Sequence, residues 1–127
     1  FDTYHDINGT LNGRKFSDNT LLYGPTCNFA ISAELAASIR FCESFPAASG
    51  EDIEFCIQAI SRGFKIYHSN KMIVYHDYSY KKSDFLKNIF LLFRQFSRYA
   101  GSQRILVDKA PQYFDLFSQT AEITEIN

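Results

Sequence analysis

Ser49-Gly50-Glu51-Asp52-Ile53-Glu54-Phe55-Cys56-Ile57-Gln58-Ala59-Ile60-Ser61-Arg62-Gly63-Phe64-Lys65-Ile66-Tyr67 is the stretch on which the reading of this chain turns. Ile53, Cys56, Ile57 and Ile60 recur at i, i+3, i+4 and i+7, one face of a helix. Ser49 followed by Asp52 has the form of a capping box, with a shorter acid than the usual Glu. Gly63 predicts the stop, because a residue just past a helix often takes a left-handed backbone. Phe64-Lys65-Ile66-Tyr67 then alternates as a strand should, Ser69-Asn70 turns, and Met72-Ile73-Val74-Tyr75 reads as a second strand ending at His76.

Upstream, Leu21-Leu22-Tyr23 is a short apolar run closed by Gly24-Pro25, and a second run from Cys27 to Ile31 leads to Ser32. Ser32 is a good N-cap for a short helix over Ala33–Ile39. Residues 1–20 are polar and turn-rich, and Asn8-Gly9, Asn12-Gly13 and Asp18-Asn19 predict a hairpin or a long loop. Downstream, a long amphipathic helix is expected from Ser83 to Ala100, capped by Ser83 and followed by Gly101. Leu86, Ile89, Phe90, Leu92, Phe93, Phe96 and Tyr99 cover more than half its circumference, against a polar stripe of Lys87, Arg94, Gln95 and Arg98. One further helix is expected after Pro111, and Ala121 to Asn127 read as a frayed tail.

At 127 residues the chain has the size of one domain. Apolar residues at 46% against 21% charged argue against disorder and allow a sizeable core. The net charge of −1 argues against a whole-domain fit to nucleic acid. The longest strongly apolar run, Ile89-Phe90-Leu91-Leu92-Phe93, is far short of the ~20 residues a spanning helix needs. Phe1 is not preceded by a charged-then-apolar leader, so no signal peptide is read, and the chain is expected to be processed or part of something longer. Cys27, Cys42 and Cys56 are odd in number and widely spaced, which predicts reduced thiols in a cytoplasmic protein. Charge is uneven. Residues 81–109 carry seven Lys/Arg against two Asp, a net of +5, while residues 1–80 and 110–127 each carry −3.

Glu51 and Asp52 are adjacent acids at a helix start, and each admits two roles. Acids in a first turn complement the helix dipole by roughly 0.3–1 kcal/mol each. A rigidly held, ionised carboxylate there can also act as a general base toward an incoming hydroxyl. His76, where a strand opens into a loop, is either a surface residue or a ligand for metal or phosphate. His5 and His68 have no partner at metal-ligand spacing and stay unassigned.

Taken together, Thr26-Cys27-Asn28-Phe29-Ala30-Ile31, Arg40-Phe41-Cys42-Glu43-Ser44-Phe45, Gly50-Glu51-Asp52-Ile53-Glu54-Phe55, Gly63-Phe64-Lys65-Ile66-Tyr67 and Val74-Tyr75-His76 resemble the C-terminal, acceptor-side portion of a family 2 glycosyltransferase. The match in order and spacing covers about residues 24–77. The resemblance implies an α/β fold: an incomplete GT-A-like half-domain of few strands with packed helices over residues 1–80, then a C-terminal helical extension over 81–127. It implies an inverting enzyme that moves a sugar from a nucleotide-diphosphate donor to a glycan or lipid-linked acceptor. On that basis Asp52 matches the general base, Glu51 and Asn28 belong to the acceptor site, and His76 matches a position at the divalent-metal or diphosphate site. Mn²⁺ or Mg²⁺ is the implied cofactor of the full-length enzyme, placed in the cytoplasm or peripherally on the inner face of the membrane.

The sequence departs from the family in three places. Arg40-Phe41-Cys42-Glu43 stands where Gly-Gly-Phe-Asp-Glu is usual, and Gln58 stands where Arg is common. The nucleotide-binding half with its Asp-x-Asp is absent, so this piece alone is expected to be inactive; Asp2 and Asp6 are a poor substitute. The basic helix Ser83–Ala100 has three readings: packing on the sheet, lying in a membrane interface, or self-association and partner docking. A non-catalytic membrane- or partner-docking module is therefore the alternative function. A metal-dependent hydrolase built on His76 ranks last, having no ligand spacing behind it.

Overall fold

The structure is a computed structural model that describes residues 14–45, 50–69, 71–72, 74 and 85–123; within 85–95 it describes the side chains of Ile89, Phe93 and Arg94. The expected cap Ser49, the strand positions Ile73 and Tyr75, and His76 lie outside the described residues. The described residues form strand β1 (Arg14–Lys15), a 3₁₀ turn at Thr26–Asn28, helices α1 (Ala33–Ser38), α2 (Glu51–Ser61), α3 (Phe85–Lys109) and α4 (Tyr113–Ser118), and strand β2 (Ala121–Glu122). The architecture is thus mixed α and β, dominated by helix.

Of the hairpin or long loop expected over residues 1–20, residues 14–20 are described, and they form a reversal that pairs with Leu21 and Leu22. Leu22 N donates to Arg14 O at 2.8 Å and Lys15 bridges Leu21. The reversal is built by Asp18-Asn19: Asn19 takes φ 64°, and the Asp18 carboxylate accepts from Thr20 N at 3.1 Å and Thr20 Oγ1 at 2.6 Å. Asn and Asp suit this place because their short polar side chains bond locally and tolerate the left-handed region. On one side Leu21 pairs with Ile66; on the other, β1 pairs antiparallel with β2, Arg14 opposite Glu122 and Lys15 opposite Ala121.

Three expectations are corrected here. Of the expected strand Phe64–Tyr67 only Ile66 is paired among the described residues, bridging Leu21, while Phe64 N is taken up by Ala59 O at the end of α2. Ala121–Glu122 are paired in β2 where a frayed tail was expected, since Arg14 holds the adjoining Thr120. The long helix does not stop at Gly101; it continues to Lys109. A mid-helix Gly costs about 1 kcal/mol, less than the roughly 1.5–3 kcal/mol gained by burying one large apolar side chain such as Leu106 beyond it.

Helix α1 follows the expectation closely, with Ser32 Oγ accepting from Leu35 N at 3.1 Å. Helix α2 begins one residue later than a Ser49 cap would place it: Gly50 is the N-cap, at φ 102°, and makes no side-chain cap bond. Its end is a Schellman motif, with Gly63 N donating to Ile60 O at 2.9 Å and Phe64 N to Ala59 O at 3.1 Å, Gly63 standing at φ 85°.

Helix α2 is the centre of the molecule because it feeds two cores. Ile57 joins Leu22, Leu106 and Ala110, with Ile53, Ile60, Tyr23, Tyr113 and Phe117 packed around them. On its other side Phe55 and Ala59 join Leu35 and Ile39, with Phe29 and Phe64 against them. The first core therefore draws on residues before and after residue 80. Cys56, at 0% exposed, packs as a small apolar group, as free Cys commonly does.

Candidate active site

Asp52 is the second residue of α2, directly after the Gly50 turn. The left-handed backbone at Gly50 sets the direction in which the helix departs, and a Cβ there would stand 3.2 Å from the Phe45 ring. The pair Glu51-Asp52 is thereby fixed by backbone geometry and not by a flexible loop. Asp52 is partly buried, and its Oδ1 accepts from Ile53 N at 2.8 Å. Burial raises its carboxyl above the ordinary aspartate value of 3.8; the Ile53 bond lowers it and the neighbouring Glu51 charge raises it further.

Two groups that the sequence did not mark feel the Asp52 charge. The phenol of Tyr23 is raised above its ordinary 10.0, first by burial and then by Tyr113, with Arg14 opposing and Asp52 adding to the rise. The Cys56 thiol is pushed up to about 11 by burial, against a backbone hydrogen bond from Gly24, with Asp52 again adding. At neutral pH both are uncharged, so Asp52 sits beside a neutral phenol and an inert thiol. The only signal for Tyr23 was its place at the end of an apolar run before Gly24-Pro25, which marks a turn and not a site.

Asn28 occupies a different part of the surface. It ends the 3₁₀ turn, and its Nδ2 donates to Met72 O at 2.8 Å, tying the turn to the 69–74 segment. These two segments wall a cavity of about 500 Å³, lined also by Gly24, Ser32, Phe64, Tyr67 and His68. Neither Glu51 nor Asp52 is among the described residues that line it. The structure thus brings Glu51 and Asp52 together and sets Asn28 with the cavity. His76 lies outside the described residues.

Gln58, where an Arg was expected by resemblance, has its own bonding. Its Nε2 donates to Glu54 Oε1 at 2.7 Å, and Arg62 donates to the Gln58 carbonyl at 3.2 Å. Glu54 is only 4% exposed, a burial that its place in an acidic run did not suggest.

His76, the position implied for the divalent metal, lies outside the described residues. Among the described residues no three His, Cys, Asp or Glu side chains gather as a metal ion requires. Chemically, what the described residues offer is one poised carboxylate at a helix start and a separate cavity of mixed aromatic and polar character. No known protein family, curated protein or solved structure matches this chain.

Proposed function

We propose that this chain is the acceptor-side part of an inverting glycosyltransferase, with Asp52 as the general base. The observation that carries the reading is the setting of Asp52: held by the first turn of α2, partly buried, and with a carboxyl raised above its ordinary value. A base is most effective when its pKa approaches the working pH, and rigid placement removes the freedom that would otherwise be lost on reaching the transition state. Asp52 takes the proton of an acceptor hydroxyl as that oxygen bonds to the anomeric carbon. The bond from that carbon to the diphosphate breaks, and the nucleoside diphosphate leaves with the electron pair. Glu51, adjacent and partly buried, shapes the acceptor side and keeps the Asp52 carboxyl raised. Donor binding belongs to a nucleotide-binding half outside these residues, which the resemblance places upstream.

The test is made on the longer protein: release of nucleoside diphosphate from a panel of nucleotide sugars, with acceptor lipid or glycan present, with and without Mn²⁺. Asp52→Asn is expected to lower the rate by about 10²–10⁴, the usual worth of a positioned base. The acid limb of the wild-type rate profile should lie above the ordinary aspartate range, because protonation of Asp52 removes the base. Full activity in Asp52→Asn, with the helix content unchanged, would take Asp52 out of the mechanism.

A further inference from the structure

We propose that α3 lies on an anionic lipid surface, with Ile89, Phe93 and Phe96 seated among the headgroups and Arg94 and Arg98 turned toward the aqueous side. Phe93 and Phe96 are 70% and 67% exposed, and Ile89 and Val107 are exposed with them. At 100° per residue these four fall within about 60° of arc, one stripe roughly 27 Å long. It is distinct from the seam by which the helix joins the protein. Ser102, Leu106 and Ala110 are buried, and their line runs about 100° around the helix from the stripe. An apolar stripe set apart from the described seam at Ser102 and Leu106 marks a surface that something else covers.

Charge decides what covers it. Residues 81–109 carry a net of +5, whereas the segments on either side are each −3. Arg94 and Arg98 are exposed on the side of the helix opposite Phe93 and Phe96. Aromatic residues on one face and arginines on the other is the arrangement of a helix lying in the interface plane. Anionic headgroups match the charge of this basic helix. No described helix is long and apolar enough to cross a membrane, so the contact is peripheral. The inference stands apart from any role of Asp52.

The experiment is flotation of the intact chain with vesicles of phosphatidylcholine alone or mixed with phosphatidylglycerol, at low and high salt, alongside sedimentation velocity without lipid. Binding is expected to the mixed vesicles only and to weaken as salt rises. Arg94→Gln with Arg98→Gln should lower the partition coefficient severalfold at low salt, up to about thirtyfold if both lay at the surface, because their charge reaches the headgroups across the width of the helix. Phe93→Ser with Phe96→Ser should lower it about a hundredfold or more. Both pairs are exposed, so thermal unfolding should match the wild type. Failure of the wild type to bind mixed vesicles at low salt would overturn the proposal, as would equal binding to neutral vesicles or unchanged binding by the Phe variant. A wild-type dimer that the Phe variant turns to monomer, with no vesicle binding, would assign the stripe to a second copy instead.

Discussion

At Glu54 a carboxyl group is almost wholly buried, accepts one bond from Gln58, and leaves Oε2 without a hydrogen-bond partner. Burial raises it above its ordinary value of 4.5, opposed by the Gln58 bond and then by Lys109 and Arg62. The folded chain therefore holds this proton more tightly than the unfolded one. The stability tied to it is fully present below about pH 4.5 and is lost as pH rises through the raised value. Glu54→Gln stays uncharged and should remove that loss, so its stability relative to the wild type rises from acid to neutral pH. Urea unfolding of both proteins across the acid-to-neutral range checks it. Asp52 shifts in the same direction, whereas Asp18 is held well below the usual carboxylate range by Thr20 and Lys65. The difference between variant and wild type, and not either curve alone, isolates Glu54. The burial of Glu54 was not legible in the sequence, because an acid inside Glu51-Asp52-Ile53-Glu54 reads as part of a solvated first turn. Gln58, one turn on in the same helix, bonds to Glu54, and Lys109 at the end of α3 is near enough for its charge to be felt.

Gly63 and Gly101 set the limits of what a helix boundary reveals about itself. Both follow apolar periodic segments and both predict a stop. Only Gly63 acts as one, with its left-handed φ and the paired bonds to Ile60 and Ala59. Gly101 has no such backbone, and α3 runs through it because Ser102, Leu106 and Ala110 are buried further on. Local chemistry sufficed for α1, for the body of α2 and for the Asp18-Asn19 turn, where the decisive partners are within four residues. It failed for β1–β2 and for Ile66, where the partner is far away in the chain and no local signal names it. A Cβ at Gly63 would meet nothing within 4 Å, so Gly63→Ala tests the backbone alone. It should lose about 1–2 kcal/mol, with Gly63→Asn losing less, since Asn tolerates the left-handed region better. Denaturant midpoints with unchanged slopes would bear this out; equal stability of the Ala variant would show that the turn relaxes.

The first and last strands of the described chain are tied by the Arg14 side chain as well as by their pairing. Arg14 donates from Nε to Thr120 Oγ1 at 2.8 Å and from a terminal nitrogen to Thr120 O at 2.6 Å, and its guanidinium lies 3.8 Å from the centre of the Phe117 ring. Arg14→Ala should cost about 2 kcal/mol, from two hydrogen bonds and the cation–π contact together. Arg14→Lys should recover only part, as it keeps the charge but not the planar fork. Thermal unfolding of the three proteins ranks them. The Asp52 site shares this arrangement, since Arg14 acts on Tyr23 and Tyr113.

The same tie has a consequence in time. Arg14 and Thr120 are 106 residues apart, and Leu22 waits for Leu106 and Ala110 in the same way. At about 5–20 residues per second, a ribosome needs roughly 5–20 s to add what β1 and the first core require. The second core needs far less, because Leu35, Ile39, Phe55 and Ala59 emerge close together. A nascent chain can therefore gather α1 against α2 early, while the opposite face of α2 stays bare until synthesis is nearly through residue 120. In that interval the apolar face of α2 is open to wrong contacts.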